Sequence, residues 1–575
     1  MNFDMNEERE QYIYERGKII VNACPGSGKT TSVGYKLMNL VNNWDYKCSG
    51  IACLSFTNVA KNEINDKFFD FNKASLNYPH LISTIDSFIN RYITLPHFKT
   101  KYRCQGRPMI LENDSILDSL SFQQFRINNR PIQYIYPPSK IDINVDGTFL
   151  FNGNSLDLSD EDKIIFDRYC RTLKNHQFLR GLLKNSDSLY AAYQILLNNP
   201  RIANSLAKRF KYIIVDEAQD TSEIQHLIID QLIDNGLKNI ELIGDPYQSL
   251  YEWRNARPDL FLEKVASVDW TSLEFTRCKR SLEPIVKAYS LFRVQEHNNL
   301  VGQELRDDNE KPIHIIYFKN YDQLVSKYEE ISSEYRRKKI LVRGTSLLRE
   351  LNALNTYIDL WKETPFSPLQ FIYAKEELQN GDIKSAINRL FNCIPLLINP
   401  DFANNVKSKQ DFIEVNRDNH SFTAKLLLLL KSIPDFNKTL TEWNDEVKET
   451  CSSIFELESP PTFVLKAGIH RPKHSMLVSQ LFERTVNSTN VSTIHKVKGK
   501  TYDSIMIVLS PNSSGQSLSI NDFIRPDEMP DEKKRLLYVA MSRPKWQLVV
   551  AVPNQSRLTV ERHAELFGDC IVHEI

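Results

Sequence analysis

The stretch Lys18-Ile-Ile-Val-Asn-Ala-Cys-Pro-Gly-Ser-Gly-Lys-Thr30 decides the fold of this chain. Its first part is a short apolar run rich in β-branched residues, which is typical of a buried strand. Its second part, from Ala23 to Thr30, fits a phosphate-binding loop with alanine in the first glycine position, and a helical pattern follows. A strand, a glycine-rich turn and a helix in this order predict the opening unit of an α/β nucleotide-binding domain.

The loop predicts a site for a nucleoside triphosphate such as ATP. Gly26 and Gly28 lack the Cβ that would block close approach, so backbone N–H groups around them can surround the phosphates. Lys29 is expected to meet the β- and γ-phosphates, and the Thr30 hydroxyl to bind Mg²⁺. The residues expected to contact the nucleotide are Ala23, Cys24, Pro25, Gly26, Ser27, Gly28, Lys29, Thr30 and Thr31.

A pair of carboxylates follows a second apolar run, in Val215-Asp-Glu-Ala-Gln-Asp-Thr221. Asp216 is expected to hold Mg²⁺, and Glu217 to orient the water that attacks the γ-phosphate and to take its proton. The alternative is a solvated acidic turn at the end of a strand. The phosphate loop upstream favours the hydrolytic interpretation.

Further apolar runs divide into two sets and predict two α/β cores with parallel sheets, each with an inserted, mainly helical subdomain. The runs are Ile51–Ser55, Tyr212–Val215 and Ile240–Ile243 in the first set, and Ile313–Phe318, Ile340–Val342, Ile505–Leu509 and Leu548–Val552 in the second. The predicted segments are 1–94 and 205–268 for the first core, 95–204 for its insertion, 269–350 and 483–575 for the second core, and 351–482 for its insertion.

Composition excludes several classes of protein. The 575 residues carry 72 basic and 72 acidic side chains, so nucleic acid can be bound only through a local groove and not through bulk positive charge. The 41% hydrophobic content excludes a disordered chain. The nine cysteines are dispersed without zinc-ligand spacing, and the N-terminus resembles no secretory signal. We expect a cytoplasmic protein without membrane spans.

Six segments in order resemble the motifs of superfamily 1 helicases of the UvrD/Rep/PcrA type, across nearly the whole chain. The resemblance implies two RecA-like cores that meet over one nucleotide, with the phosphate loop as the first motif. The other five are Leu54-Ser-Phe-Thr-Asn-Val-Ala60 (motif Ia), Asp216-Glu-Ala-Gln-Asp220 (motif II), Ile243-Gly-Asp-Pro-Tyr-Gln-Ser-Leu-Tyr-Glu-Trp-Arg-Asn-Ala256 (motif III), Val491-Ser-Thr-Ile-His-Lys-Val-Lys-Gly499 (motif V) and Arg535-Leu-Leu-Tyr-Val-Ala-Met-Ser-Arg543 (motif VI).

The resemblance implies further roles at the matching positions. Gln248 would sense the γ-phosphate, and Arg543 together with Arg280 would stabilise charge on the transferred phosphoryl group when the cores close. Arg280, in Lys279-Arg280-Ser281, stands in the position of the arginine of the family's motif IV, and Arg277 is the alternative for that position. An interdomain salt bridge is the alternative role for Arg280 and for Arg543. The residues that match family positions near the DNA strand are Phe56, Asn58, Trp253, Arg254 and His495.

Three positions depart from the family pattern, all at the nucleoside end. Arg9 stands where the family has a glutamine that reads adenine, Lys279 where it has an aromatic residue that stacks on adenine, and Thr501 where it has a glutamate near the ribose. The phosphate-end groups are all present. We therefore expect hydrolysis to be retained and the preference for ATP over other nucleoside triphosphates to be relaxed.

The resemblance implies an enzyme that hydrolyses ATP when stimulated by DNA, moves 3′ to 5′ on single-stranded DNA and unwinds partly duplex DNA, in DNA repair or antiviral defence. The alternative is an ATP-controlled sensor of DNA ends within a nuclease complex, with little unwinding of its own. Size and motif style also resemble the helicase-like subunit of the Gabija antiphage system, which implies an OLD-type or other nuclease as partner. A stand-alone nuclease is disfavoured, because no carboxylate cluster beyond Asp216 and Glu217 can be assigned.

Overall fold

The computed structural model contains two six-stranded parallel sheets, each flanked by helices. It describes residues 3–250, 256–297, 299–307, 310–353, 359–362, 366–379, 383–403, 412–413, 415–416, 419–482, 491–512, 515, 517–558, 562 and 566–575. The strands are β1 Lys18–Ala23, β2 Gly50–Ser55, β3 Leu81–Thr84, β4 Met109–Ile110, β5 Arg126–Ile127, β6 Arg130–Pro131, β7 Ile141–Ile143, β8 Phe149–Phe151, β9 Leu182–Leu183, β10 Phe210–Asp216, β11 Asn239–Gly244, β12 Thr271–Phe275, β13 Arg277–Leu282, β14 Val301–Gln303, β15 Ile313–Phe318, β16 Lys338–Val342, β17 Val491–Thr493, β18 Tyr502–Val508, β19 Pro544–Pro553 and β20 Ile571–Glu574.

Helices connect these strands and cover both faces of the sheets, as parallel sheets require. The α-helices are Glu7–Tyr14, Lys29–Asn42, Asn58–Asn72, Ile85–Ile89, Leu95–Tyr102, Asp160–Arg180, Asn185–Asn198, Pro200–Arg209, Glu223–Asp234, Pro258–Ala266, Glu283–Ser290, Tyr321–Ile331, Thr345–Ala353, Leu369–Gln379, Ile383–Cys393, Pro395–Ile398, His420–Ser432, Leu440–Phe455, Val478–Leu481 and Glu532–Met541. Among the described residues, no helix is both long and apolar enough to cross a membrane.

The first sheet has the strand order β12-β1-β11-β10-β2-β3, and every neighbouring pair is parallel. The four apolar runs predicted as its strands are confirmed. β3 and β12 were not predicted, because each is short and carries few buried residues. The sheet therefore extends to Phe275, beyond the end predicted at residue 268. Asp216 pairs with Ser55 and Ile243, so the carboxyl ends of three strands meet at one edge.

The second sheet has the strand order β17-β16-β18-β19-β15-β20, again with every neighbouring pair parallel. The four apolar runs of the second set form its central strands, as predicted. The edge strands β17 and β20 have three and four residues and no fully buried position, so their sequences give no buried-strand signal. The two sheets confirm the predicted fold class of two RecA-like α/β cores.

The segment between β3 and β10 is largely helical and includes short strand pairs such as the β7–β8 hairpin. Its helices Asp160–Arg180 and Asn185–Asn198 are joined by a buried ion pair, with Lys174 Nζ 2.7 Å from Asp187 Oδ1. Because both side chains are almost fully buried, removing either partner would leave an unpaired charge in the interior.

The chain divides into two compact units, one of residues 1–348 and 490–575, which holds both sheets, and one of residues 349–489. In the second unit the described elements are predominantly helical. Its core contains Trp361 and Trp443, both about fully buried. The Trp361 indole donates a hydrogen bond of 2.8 Å to Asn444 Oδ1, which satisfies a polar group inside this core.

Candidate active site

The phosphate loop follows β1 and is held in a conformation that its glycines permit. Gly26 and Gly28 have φ angles of 75° and 81°, in the left-handed region that favours glycine. A Cβ on Gly26 would lie 2.6 Å from the Arg280 Cβ, so this glycine also permits the close approach of the second core. Lys29 is the first residue of the helix Lys29–Asn42, whose N-terminal N–H groups therefore border the loop and favour an anion.

The two residues predicted to hold Mg²⁺ lie in contact at the edge of the first sheet. The Thr30 hydroxyl donates a hydrogen bond of 3.1 Å to Asp216 Oδ2, and Asp216 is fully buried. Burial, together with the charge of Glu217, raises the pKa of Asp216 to about 7. A hydroxyl and a carboxylate beside a phosphate loop are oxygen donors of the kind that Mg²⁺ accepts, so the donor set fits this cation.

Glu217 lies at the turn that follows β10 and has a φ of 56°, an uncommon backbone conformation for a residue with a side chain. The Gln219 side-chain amide donates a hydrogen bond to Glu217 Oε2, which fixes the carboxylate. Burial by itself raises the pKa of Glu217, but the positive charges of Lys29 and Lys498 outweigh it and hold the pKa below its ordinary value. An ionised, oriented carboxylate at this place can accept a proton.

Both sheets contribute to one cleft of about 670 Å³, a volume within the usual range for small-molecule sites. The first core supplies the phosphate loop and Glu217, and the second supplies cationic side chains. The residues that line the cleft are Cys24, Gly26, Ser27, Gly28, Lys29, Thr30, Thr31, Phe56, Thr57, Val59, Ala60, Glu63, Glu217, Asp220, Gln248, Lys279, Arg280, His495, Lys496, Lys498, Gly499, Lys500, Thr501, Arg543 and Lys545.

Arg543 lies in the wall of this cleft and not in bulk solvent. Its side chain is almost fully buried, and Nη2 donates a hydrogen bond of 2.6 Å to Gln248 Oε1. The Gln248 amide in turn donates to Asp245 Oδ2 over 2.7 Å. Burial lowers the pKa of Arg543 to about 9, and the charge of Arg280 acts in the same direction. The predicted γ-phosphate sensor and the motif VI arginine are therefore in direct contact.

Arg280 also lines the cleft, and its Nη1 donates a hydrogen bond of 3.0 Å to the Ser542 carbonyl, next to Arg543. Its backbone follows Lys279, whose N–H donates to the Gly26 carbonyl over 2.9 Å. Arg277, the alternative residue for motif IV, is exposed and does not line the cleft. The structure thus brings Arg280 to the phosphate loop and leaves Arg277 outside.

An ion pair joins motif II to motif V. Lys498 Nζ lies 2.6 Å from Asp220 Oδ2, and the two side chains are 12% and 3% exposed. Burial raises the pKa of Asp220 to about 6, although the ammonium of Lys498 acts to lower it. Both residues lie within segments that the sequence singles out, but their pairing was not predicted, because 278 positions separate them.

Two family models match this chain, one in its N-terminal half and one in its C-terminal half. The UvrD/REP helicase N-terminal domain matches residues 5–269, and the UvrD-like helicase C-terminal domain matches residues 404–555. The chain belongs to the UvrD/Rep helicase family. The first match ends near β12 of the first sheet, and the second includes β17, β18 and β19 of the second sheet.

Relatives in this family have low overall identity. The probable DNA helicase II homolog of Mycoplasma genitalium is 23% identical, over 94% of this chain and 84% of the relative. The ATP-dependent DNA helicase Rep of Buchnera aphidicola subsp. Schizaphis graminum is 24% identical, over 77% of this chain and 64% of the relative, so this chain spans less than two thirds of that protein. The exonuclease/helicase subunit RexA of Lactococcus lactis subsp. cremoris is 39% identical over only 19% of this chain.

The residues that match DNA-contacting positions of the UvrD/Rep family are placed in three ways. Phe56 and His495 line the same cleft as the phosphate loop. Asn58 is exposed and begins the helix Asn58–Asn72, beside Phe56. Trp253 and Arg254 lie outside the described residues.

The three departures from the UvrD/Rep pattern do not all face the cleft. Lys279 and Thr501 line it, and Lys279 forms an ion pair with Asp4. Arg9 is 5% exposed and does not line the cleft. Its Nη2 donates a hydrogen bond of 2.5 Å to the Ser27 carbonyl, and its Nη1 donates one of 2.6 Å to the Asp4 carbonyl. Arg9 therefore supports the phosphate loop from behind.

Sequence reasoning missed a buried polar network behind the cleft, made by Asp245, Arg293 and Tyr538. Tyr538 donates a hydrogen bond of 3.1 Å to Asp245 Oδ2, and Arg293 Nη1 donates one of 2.9 Å to the Tyr538 hydroxyl. Asp245 and Tyr538 lie inside motifs III and VI, so the motifs could have drawn attention to them. Arg293 lies outside every motif, and its one signal is a charged residue in the apolar segment 288–294.

Proposed function

We propose that this chain is an ATP-dependent DNA translocase and helicase of the UvrD/Rep type that hydrolyses nucleoside triphosphates in the cleft between its two sheets. The observation that carries the proposal is that one cleft receives the phosphate loop and Glu217 from the first core and Arg280 and Arg543 from the second. Separate cores that share one site couple hydrolysis to their relative motion. The names of the Mycoplasma and Buchnera relatives support the same activity.

In this proposal the first core binds the triphosphate and activates the attacking water. Lys29 and the loop backbone bind the β- and γ-phosphates, and Thr30 and Asp216 hold Mg²⁺, which when bound neutralises charge on those phosphates. Glu217 orients the attacking water and takes its proton, and its lowered pKa keeps the carboxylate ionised for this task. The Gln219 hydrogen bond keeps its carboxylate aimed into the cleft.

The second core supplies positive charge when the cores are closed. Arg280 and Arg543 stabilise negative charge on the transferred phosphoryl group, and Gln248 reports the γ-phosphate through its contact with Arg543. The Asp220–Lys498 ion pair joins the same two cores at the side of the cleft. Loss of the γ-phosphate then weakens the attraction between the cores and allows them to separate.

The DNA strand is proposed to contact Phe56, Asn58, Trp253, Arg254 and His495, with movement in the 3′ to 5′ direction. Aromatic side chains on such a path stack on bases of any sequence, each for about 1–3 kcal/mol. This tolerance suits a chain whose formal net charge is zero and which needs only a local basic groove.

Relaxed selection of the base is part of the proposal. Lys279 and Thr501 line the cleft where family members have a stacking ring and a carboxylate, and Arg9 is committed to the carbonyls of Ser27 and Asp4. We expect the kcat/KM values for ATP, GTP and CTP to agree within about tenfold, a difference of about 1.4 kcal/mol. A strong preference for ATP would contradict this part alone.

Strand displacement tests the central proposal. A duplex with a single-stranded 3′ tail should be unwound in the presence of ATP and Mg²⁺, and a duplex with a 5′ tail should not. Glu217→Gln is the matched control, because it removes the base and preserves the shape of the side chain. DNA-stimulated hydrolysis without displacement on either substrate would refute helicase activity and favour the second candidate below.

The second candidate is an ATP-controlled sensor of DNA ends within a nuclease complex, of use in repair or in antiviral defence. The match of a short part of this chain to RexA, an exonuclease/helicase subunit, favours this possibility. An OLD-type or other nuclease is the expected partner. Co-purification of a nuclease with the tagged chain from its native cells, together with displacement only in that complex, would support this candidate over the first.

A further inference from the structure

Arg293 follows the helix Glu283–Ser290 in the second core and is 2% exposed. Its guanidinium makes polar contacts in several directions. Nε donates a hydrogen bond of 2.8 Å to the His297 carbonyl, and Nη1 donates one of 2.9 Å to the Tyr538 hydroxyl. Nη2 donates one of 3.4 Å to Asn22 Oδ1. Nη1 also lies 3.7 Å from Asp245 Oδ1.

These contacts join the two cores. His297 and Tyr538 belong to the second core, whereas Asn22 directly precedes the phosphate loop and Asp245 follows β11 of the first sheet. The guanidinium also lies 4.5 Å from the centre of the Tyr247 ring, again in the first core. A planar group with five fixed donors can satisfy all these partners only when the cores stand in one relative position.

The network leads from Arg293 to the reacting groups through Asp245. The carboxylate of Asp245 accepts hydrogen bonds from Tyr538 and from the Gln248 amide, over 3.1 and 2.7 Å. Since the nitrogen of that amide is held by Asp245, its oxygen points to Arg543, which donates to it over 2.6 Å. The orientation of Gln248 is therefore set by a carboxylate that Arg293 and Tyr538 hold in place.

A purely structural role accounts poorly for this arrangement. Fully burying a guanidinium carries a large desolvation penalty, and replacing a buried ion pair by apolar side chains of similar volume is often neutral or stabilising. The cost is incurred here at the junction of the two cores, beside the phosphate loop. The rigid arrangement of N–H donors on a guanidinium is useful at this junction because it defines the closed position of the cores.

We propose that Arg293 is a positioning residue for hydrolysis: it holds Asp245 and Tyr538 in register across the closed cores, so that Gln248 and Arg543 reach the γ-phosphate together. The inference rests on the proposed function and deepens it. Arg293 acts through other residues and does not itself touch the nucleotide.

Kinetics with Arg293→Lys and Arg293→Met test the inference. Lysine preserves the charge but not the fork, so we expect DNA-stimulated kcat to fall about 10- to 100-fold in both variants, because misplaced reacting groups lose rate on that scale. KM and the Kd of a fluorescent ATP analogue should change less than about threefold, since the phosphate loop is intact. Arg257→Met is the matched control, because the Arg257 guanidinium forms part-exposed ion pairs with Glu223 and Asp259 within the first core, and the kcat of this variant should equal that of the wild type.

Tyr538→Phe provides a second, milder variant that removes one hydroxyl. Its effect on kcat and that of Arg293→Lys should not multiply in the double variant, because both act on Asp245. Wild-type kcat in Arg293→Met would overturn the inference. A loss of kcat matched by an equal loss of nucleotide affinity and a large fall in Tm would also overturn it, because it would indicate a structural role.

An optical measurement keeps the inference separate from the proposed function. Fluorophores on the exposed Cys48 of the first core and on Asp322→Cys of the second, with Cys570→Ser, report the distance between the cores without any hydrolysis. In the nucleotide-free state we expect the efficiency of resonance energy transfer between the two fluorophores to be lower in Arg293→Met than in the labelled protein that keeps Arg293. The reason is that the cores are no longer held in the closed position. Equal efficiency would refute the positioning role even if the wild type proved inactive on ATP, whereas that inactivity alone would refute only the proposed function.

Discussion

The binding of Mg²⁺ should depend on pH in a range where an ordinary aspartate gives no dependence. Asp216 is fully buried, and its pKa is raised to about 7 from the usual 3.8 by burial and by the charge of Glu217. Because the carboxylate must lose its proton to hold the cation, apparent Mg²⁺ affinity should rise with pH until about pH 7 and then level off. Below the pKa, each pH unit should lower the affinity about tenfold.

The measurement is a Mg²⁺ titration of DNA-stimulated nucleotide hydrolysis, or of fluorescent-nucleotide binding, at pH 6, 7 and 8. With a pKa of about 7, Asp216 is about 90% protonated at pH 6 and about 10% at pH 8, so the affinity should differ about tenfold between the two. The nucleotide and other groups also titrate in this range. The pH profile of the apparent Mg²⁺ affinity is therefore divided by the profile measured with Asp216→Asn, which contains only those other titrations. Glu217→Gln should move the midpoint to lower pH, because the neighbouring charge is gone. A corrected profile that is flat from pH 6 to 8 would refute the reasoning.

Three other outcomes are expected. Glu217→Gln should lower DNA-stimulated kcat by about 10²- to 10⁴-fold with nucleotide Kd unchanged, by stopped-flow kinetics; a loss below tenfold would argue against a general base. Asp216→Asn should raise the Tm of the metal-free protein at pH 8. The pKa of Asp216 is raised in the folded state, so the free energy of unfolding falls as the pH rises from 3.8 to about 7, and the variant avoids this loss. An unchanged Tm would contradict this. Asp220, whose pKa is about 6, should lose its charge and its attraction to Lys498 below pH 6. The rate of hydrolysis should therefore decline more steeply below pH 6 in the wild type than in Asp220→Asn. Parallel pH–rate profiles of the two proteins would exclude the ion pair as the cause.

The central strands of both sheets could be predicted because they are buried on both faces and therefore consist of unbroken apolar runs. The edge strands could not. β12 carries only two buried residues, and β20 none, so neither has a run long enough to distinguish it from a loop. Their positions depend on pairing with β1 and β15, which local sequence does not encode.

The phosphate end of the cleft could also be predicted, because its chemistry is concentrated in short segments such as the loop ending at Thr30. The contacts between segments could not. Arg293 and Asn22 are 271 positions apart, and neither has a side chain whose type alone implies the other. The same holds for Arg9, which stands where the family has a glutamine that reads adenine: its hydrogen bond to the Ser27 carbonyl could not be inferred from that position.

The support of the phosphate loop by Arg9 has a practical consequence for work with this protein. The segment from Phe3 to Arg9 touches the loop through the Ser27 carbonyl, and a Cβ on Gly28 would meet the Arg9 guanidinium at 2.6 Å. A shortened version that starts after Arg9 would keep every helicase motif and still lack the side chain that holds the Ser27 carbonyl of the phosphate loop. Affinity handles are therefore better attached elsewhere, and preparations trimmed at this end should be compared with the whole chain before weak turnover is ascribed to the enzyme itself.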